Sequence, residues 1–161
     1  MTDSRGSADA QVLRSILLEH ADERVAVLGP PCIGKSTILR HIPRALDMDV
    51  ILFPQLSQEE KKTVFRKPWS PSVGREMKRL ARARITVAPG HPFFATVVLD
   101  VDFIVYLKIN DSLLLKRIVL RQQDRRQAFD DVKGIQRQLE ADILLSGIPV
   151  VDFQVADDNY A

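Results

Sequence analysis

The residues of this chain best placed to do chemistry together are Gly29-Pro30-Pro31-Cys32-Ile33-Gly34-Lys35-Ser36-Thr37. Two glycines spaced five apart, followed by a lysine and a hydroxyl residue, fit the turn that wraps a phosphate. Glycine lets the backbone bend tightly around an oxyanion. Successive amides and the positive end of the following helix then meet the charge. Lys35 is expected to reach the β- and γ-phosphates of a nucleoside triphosphate such as ATP, and Ser36 to ligate Mg2+. Cys32, the only cysteine, lies where a helix N-terminus can lower a thiol's pKa, so a redox role stands beside simple loop filling.

Such a turn works only between a strand and a helix. Arg24–Leu28 is short, apolar and valine-rich and stops at Gly29, as a strand covered on both faces reads. The pattern after Gly34 predicts a helix through Leu46. Val12, Leu13, Ile16 and Leu17 predict an amphipathic helix over residues 10–20, with residues 1–9 a disordered tail. Further strands are expected at Ile85–Ala88, Phe103–Leu107 and Pro149–Phe153. Thr96–Asp100 is apolar and ends in an acid, but only Val101 and Asp102 separate it from Phe103, while a parallel crossover takes about a dozen residues. Residues 92–101 therefore read as a helical crossover, and Asp100 as a surface acid near a strand start. Asn110 and Asp111 can cap a helix from Ser112. A second helix runs from near Asp130 to Gly147, weakened by about 1 kcal/mol at Gly134. The alternation predicts one domain, residues 10–161, with a three-layer α/β/α P-loop fold. Its parallel sheet should have about five strands with the loop strand at the centre.

Composition agrees with a single folded domain: 161 residues, 45% hydrophobic and 27% charged, exclude wholesale disorder and a disulfide scaffold. No stretch is apolar for the 20 or so residues a membrane helix needs. The first residues lack the apolar core of a secretory signal, so a cytoplasmic location is expected. A net charge of +2 conceals an uneven distribution. Residues 61–84 hold Lys61, Lys62, Arg66, Lys67, Arg75, Lys78, Arg79, Arg82 and Arg84 against Glu76 alone. That stretch is either a solvated helix face or a surface that receives an anion.

The order of strand, phosphate loop, helix, Asp47-Met48-Asp49, Arg66-Lys67-Pro68-Trp69 and Val105-Tyr106-Leu107-Lys108 before an arginine-rich helix resembles one family. It is the shikimate and gluconate kinase group of the nucleoside-monophosphate-kinase-like superfamily, and the likeness spans most of residues 24–153. The resemblance implies that Asp47 polarises an acceptor hydroxyl or holds Mg2+ through water, and that Asp49 touches the acceptor. It also implies an arginine-bearing lid, about residues 122–130, that closes over the triphosphate, with Arg121 and Arg125 offsetting its charge. Arg117, Arg121 and Arg125 are spaced by four, which places all three on one helix face next to a mobile connector that also holds Arg126. A polar turn for the two acids and a solvated face for the arginines are the plainer alternatives. Where shikimate kinases carry Gly-Gly-Gly this chain has Pro89-Gly90-His91-Pro92, so the acceptor stays open.

The expected activity is transfer of the γ-phosphoryl group of ATP to a hydroxyl of a small, anionic metabolite. Arg66, Lys67 or Arg75 would hold the acceptor's charge and Trp69 would form one wall of its pocket. Gly90 and His91 are expected at the carboxyl ends of the strands, where ligands bind in open α/β sheets. A nucleotide or nucleoside kinase is a second reading. A third, of another class, is a nucleotide-dependent binding protein that uses residues 61–84 on nucleic acid or a protein partner.

Overall fold

The computed structural model describes residues 4–31, 35–120 and 125–155, with backbone alone for 4–8, 36–37 and 125–127. Along the chain run α1 (Ser4–Glu19), β1 (Val25–Leu28), α2 (Lys35–Leu39), β2 (Leu46–Asp47), α3 (Met48–Leu52), α4 (Gln58–Val64) and α5 (Pro71–Arg84). They are followed by β3 (Phe93–Ala95), β4 (Phe103–Lys108), α6 (Asp111–Leu120), α7 (Arg125–Ser146) and β5 (Val150–Gln154). Among the described residues these strands form one five-stranded sheet in the order β2-β3-β1-β4-β5. Every pairing is parallel, and Ala26 of β1 lies between Phe93 and Ile104.

The side chains of the central strands explain the layers. Val25 and Val27 join one core with Phe103, Val105 and Leu107, whereas Ala26 and Leu28 join a second with Ile104 and Tyr106. Strands buried on both faces need helices on both sides. Leu13, Leu17, Ile38, Leu114 and Ile118 from α1, α2 and α6 cover the first face. Met48, Leu52, Val64 and Leu80 from α3, α4 and α5 cover the second. Helix α7 reaches both, through Val132 on one side and Leu139 and Ile143 on the other. The three-layer α/β/α arrangement with the loop strand central is therefore present. Among the described residues no helix is long and apolar enough to cross a membrane.

Several boundaries differ from the sequence reading. Ile85–Ala88 forms no ladder: Ile85 and Val87 are buried, but the chain turns through Gly90, at φ 80, and joins the sheet only past Pro92. Residues 92–101 consequently hold strand β3 and not a helical crossover. β3 and β4 flank β1, so residues 96–102 need only step over one strand, about 10 Å. An extended stretch of that length reaches ~23 Å. Val98, Leu99 and Val101 bury into the second core and fill the place of a helix. Helix α2 stops at Leu39 and not at Leu46, because the ring of Pro43 would press on the Leu39 carbonyl. Helix α1 extends back to Ser4 through most of the expected tail, since a packed helix propagates at little cost. Helix α7 begins at Arg125 and not near Asp130, because Ala128 and Phe129 pack on the first core.

Two expectations, one at a strand start and one at a helix start, hold. Asp100 is exposed and lies 3.4 Å from Arg24, just ahead of β1. Arg24 also grips Asp102 through its backbone N–H (2.9 Å) and its guanidinium (2.9 and 3.2 Å). Asn110 caps α6, its side chain accepting the N–H of Leu113 at 2.8 Å.

Helices α4 and α5 are tied at their far ends. Ser57 and Glu60 form a reciprocal cap on α4. Arg84 then holds the Glu60 carboxylate at 2.6 and 2.7 Å and donates to the Gln55 carbonyl at 3.1 Å. These Arg84 hydrogen bonds, with the Ser57 amide, push the Glu60 carboxyl down to about 2. An acid whose pKa falls on folding adds stability above its ordinary value and loses it as pH drops through the folded one. Arg84→Gln is expected to lower the melting temperature by about 2 °C at neutral pH. The gap to wild type should narrow as pH falls from 4.5 toward 2, which thermal unfolding followed by circular dichroism would show.

Candidate functional site

Strand β1 delivers Gly29 to the carboxyl edge of the sheet. Its N–H donates to the carbonyl of Ala95 at 3.2 Å, and Pro30 and Pro31 have no N–H to give. The first three loop residues thus offer no amide to an anion, so any amide cradle begins at position 32. Cys32, Ile33 and Gly34 lie outside the described residues, as do the side chains of Ser36 and Thr37. Lys35 opens α2, and its ammonium donates to the carbonyls of Gly29 (2.8 Å) and Pro30 (2.7 Å). The cation is thereby folded over the mouth of its own loop.

Strand β2 brings the two acids to the same edge, with Asp47 beside Phe94 of β3. The Asp47 carboxylate accepts the N–H of Asp49 at 3.0 Å and so caps α3, which makes the plainer reading of a polar turn part of its role. Asp49 stands in the first turn of that helix. Its carboxyl sits above the ordinary range, first because surrounding protein strips away water and second because Asp47 is nearby; the Lys35 ammonium opposes both. One cation and two carboxylates therefore share this edge.

Beside them lies a cavity of about 180 Å³ that joins the loop to the α4–α5 region. Pro31, Asp49, Arg66, Lys67 and Trp69 line it. Phe53 and Phe65 form part of its wall as an edge-to-face pair with centroids 4.9 Å apart. Five of the residues expected at a site, Pro31, Asp49, Arg66, Lys67 and Trp69, are thus brought together. Three others escaped the sequence reading. Thr96 follows β3 directly and faces the cavity, and it was hidden by the misplacement of that strand. Gln138 and Asp142 come from α7, with Asp142 3.5 Å from Lys78 of α5. Their only signal in the sequence is a spacing of four beside the apolar stripe of Ile135 and Leu139.

Other expected residues stand elsewhere. Arg75 is exposed on α5 and does not line the cavity. Gly90 and His91 precede β3 and do not follow a strand at 85–88, so they sit at the amino edge, opposite Lys35. There Gly90 borders a separate hollow of about 460 Å³ with His20 and Arg44, and His91 is exposed. Of the arginine series, Arg117 is buried in α6 and Arg125 opens α7. Arg121 and the side chain of Arg125 lie outside the described residues. Of the expected lid, residues 125–130 are helical, and Ala128 and Phe129 are packed down.

Among the described residues no three His, Cys, Asp or Glu side chains gather as a metal site. The pair Asp47 and Asp49 suits a hard divalent ion that arrives already ligated by phosphate oxygens, the usual mode for Mg2+. No known family model matches this sequence, and no curated protein is significantly similar to it.

The shared edge makes a signed prediction. In a carboxyl NMR titration Asp49 is expected to titrate above an ordinary aspartate. Lys35→Ala should raise its midpoint further and Asp47→Asn should lower it, because the first removes an attraction and the second a repulsion. An Asp49 midpoint unmoved by either change would separate the three groups.

Proposed function

We propose that the chain transfers the γ-phosphoryl group of ATP to a hydroxyl of a small anionic metabolite held in the 180 Å³ cavity. The observation that carries this reading is the continuity of one cavity from Pro31 of the loop, past Asp49, to Arg66 and Lys67. Phosphoryl transfer asks the protein mainly for positioning and charge compensation. Lys35 would exchange the carbonyls of Gly29 and Pro30 for the β- and γ-phosphates. Asp49, whose carboxylate is made more basic than an exposed aspartate by burial and by Asp47, is suited to accept the proton of an attacking hydroxyl. Arg66 and Lys67 would pair with the acceptor's negative group. Mg2+ supplies charge neutralisation at the phosphate oxygens when bound, and Ser36 and Asp47 are the residues that would hold it. Arg121 and Arg125 keep their proposed place as lid arginines. The resemblance to the shikimate and gluconate kinase group supports the same class of reaction.

The binding-protein reading finds less support in the basic stretch. Lys62, Lys78, Arg79 and Arg84 each have an acid within 4 Å, and Arg82 donates to the Val98 carbonyl at 3.4 Å. What is left is not a continuous basic stripe. A nucleotide acceptor is also disfavoured, since the cavity is small beside the 300–1,000 Å³ or so of pockets for larger ligands.

ADP release over a panel of hydroxylated organic anions, with Mg2+ and ATP, tests the proposal. Lys35→Ala is expected to reduce turnover by at least about a hundredfold and Asp49→Asn by a similar factor. Raising salt from 50 to 200 mM should change the rate only mildly. Turnover unaffected by Lys35→Ala would overturn the reading, and a thousandfold salt-dependent loss of nucleic-acid binding would favour the alternative.

A further inference from the structure

Two glycines sit inside helices, Gly74 in α5 and Gly134 in α7, where each weakens its helix relative to alanine. Both touch Trp69. A Cβ on Gly134 would fall 2.7 and 2.9 Å from Cζ3 and Cε3 of the indole, and one on Gly74 would fall 2.7 Å from its Cζ2. The six-membered ring is thus seated on the bare backbone of Gly134 and shares that of Gly74 with the Gln138 carboxamide. Gln138 braces the seat by donating to the Pro71 carbonyl at 3.0 Å, and Lys78 and Asp142 bridge the same helices at 3.5 Å. Trp69 is nonetheless only half-buried; it borders the cavity that also holds Asp49 and Thr96, and also a more open hollow lined by Pro68, Asp130 and Arg137.

A rigidly seated aromatic wall is an exacting surface. Aromatic rings gain from stacked or edge-on contact with another π system. A chain of hydroxyls placed against Trp69, Phe53, Val73 and Met77 would lose its water partners without replacement. Size points the same way: a cavity of roughly 150 Å³ lined by apolar side chains accepts benzene, and this one measures about 180 Å³. Arg66 and Lys67 supply the anion partner, and Asp49 the hydroxyl partner.

We infer that the acceptor is a single aromatic or heteroaromatic ring, carrying a hydroxyl-bearing substituent and an anionic group, that packs against Trp69 in the seat made by Gly74 and Gly134. This deepens the phosphotransfer reading and rests on the cavity being the acceptor site.

Trp69 is the only tryptophan in the chain, so its emission reports the cavity directly. The full chain with ADP and Mg2+ is titrated by calorimetry with 4-(hydroxymethyl)benzoate and with D-gluconate, an open-chain polyol carboxylate. The ring probe is expected to bind at least about tenfold tighter and to shield Trp69 from iodide quenching. Trp69→Phe should retain that binding within about threefold, while Trp69→Leu should lose about tenfold. No binding of the ring probe, equal or tighter binding of gluconate, or unchanged iodide quenching overturns the inference. The shielding measurement needs no variant, so it decides even if Trp69→Leu does not fold. The two readings separate in an ATP assay with the same probes. A ring probe that binds and shields Trp69 while no hydroxylated acceptor releases ADP supports the ring seat and defeats phosphotransfer. ADP release with gluconate alone supports phosphotransfer and defeats the ring seat.

Discussion

Gly29 donates its N–H to the carbonyl of Ala95, the last residue of β3, continuing the β1–β3 ladder one residue beyond β1. Everything at the carboxyl edge follows from that pairing. It sets the height at which the phosphate loop leaves β1, and it places Thr96 beside the loop as the chain leaves β3. Through Leu46 and Asp47, which pair with Phe93 and Phe94, the same ladder carries the two acids to this edge. Side chains far apart in sequence converge because three parallel strands end together, the position at which open α/β sheets bind ligands.

The second constraint is steric. Helices α5 and α7 approach closely enough to enclose Trp69 only because Gly74 and Gly134 have no side chain at the contact. Helix propensity read alone marks Gly134 as a weakness. In the folded chain the missing Cβ is the space an indole occupies, so a local cost supports a tertiary contact. Helix α7 also contributes Gln138 and Asp142, which links one wall of the cavity to the helix that begins at Arg125.

Electrostatics divides the basic stretch by partner. Lys62 and Arg79 pair with Glu59 and Glu76 on their own helices, while Arg84 with Glu60 ties α5 to α4 and Lys78 with Asp142 ties α5 to α7. Arg66 and Lys67, on the connector between α4 and α5, face the cavity. Of the nine basic residues in 61–84, Lys62, Lys78, Arg79 and Arg84 are thus paired with acids of the fold, and Arg66 and Lys67 are turned toward the candidate site.

The sequence by itself determined what is local. Adjacent residues specify a valine-rich strand, a glycine-bounded loop and a lysine at a helix start, and Asn110 announces its own cap. Burial of β1 and β4 on both faces was also legible, because a run of apolar residues without polar breaks requires cover on both sides. Tertiary structure decided what adjacency cannot encode. β3 is three residues long and has no period of its own; it is a strand because β1 and β2 offer ladders on both sides, while the more strand-like Ile85–Ala88 has none. That shift of a few residues moves Gly90 and His91 to the far end of the sheet and brings Thr96 to the near one. Trp69, Gly74 and Gly134 are unremarkable singly, and their meaning lies in a contact between helices that only the packed chain creates.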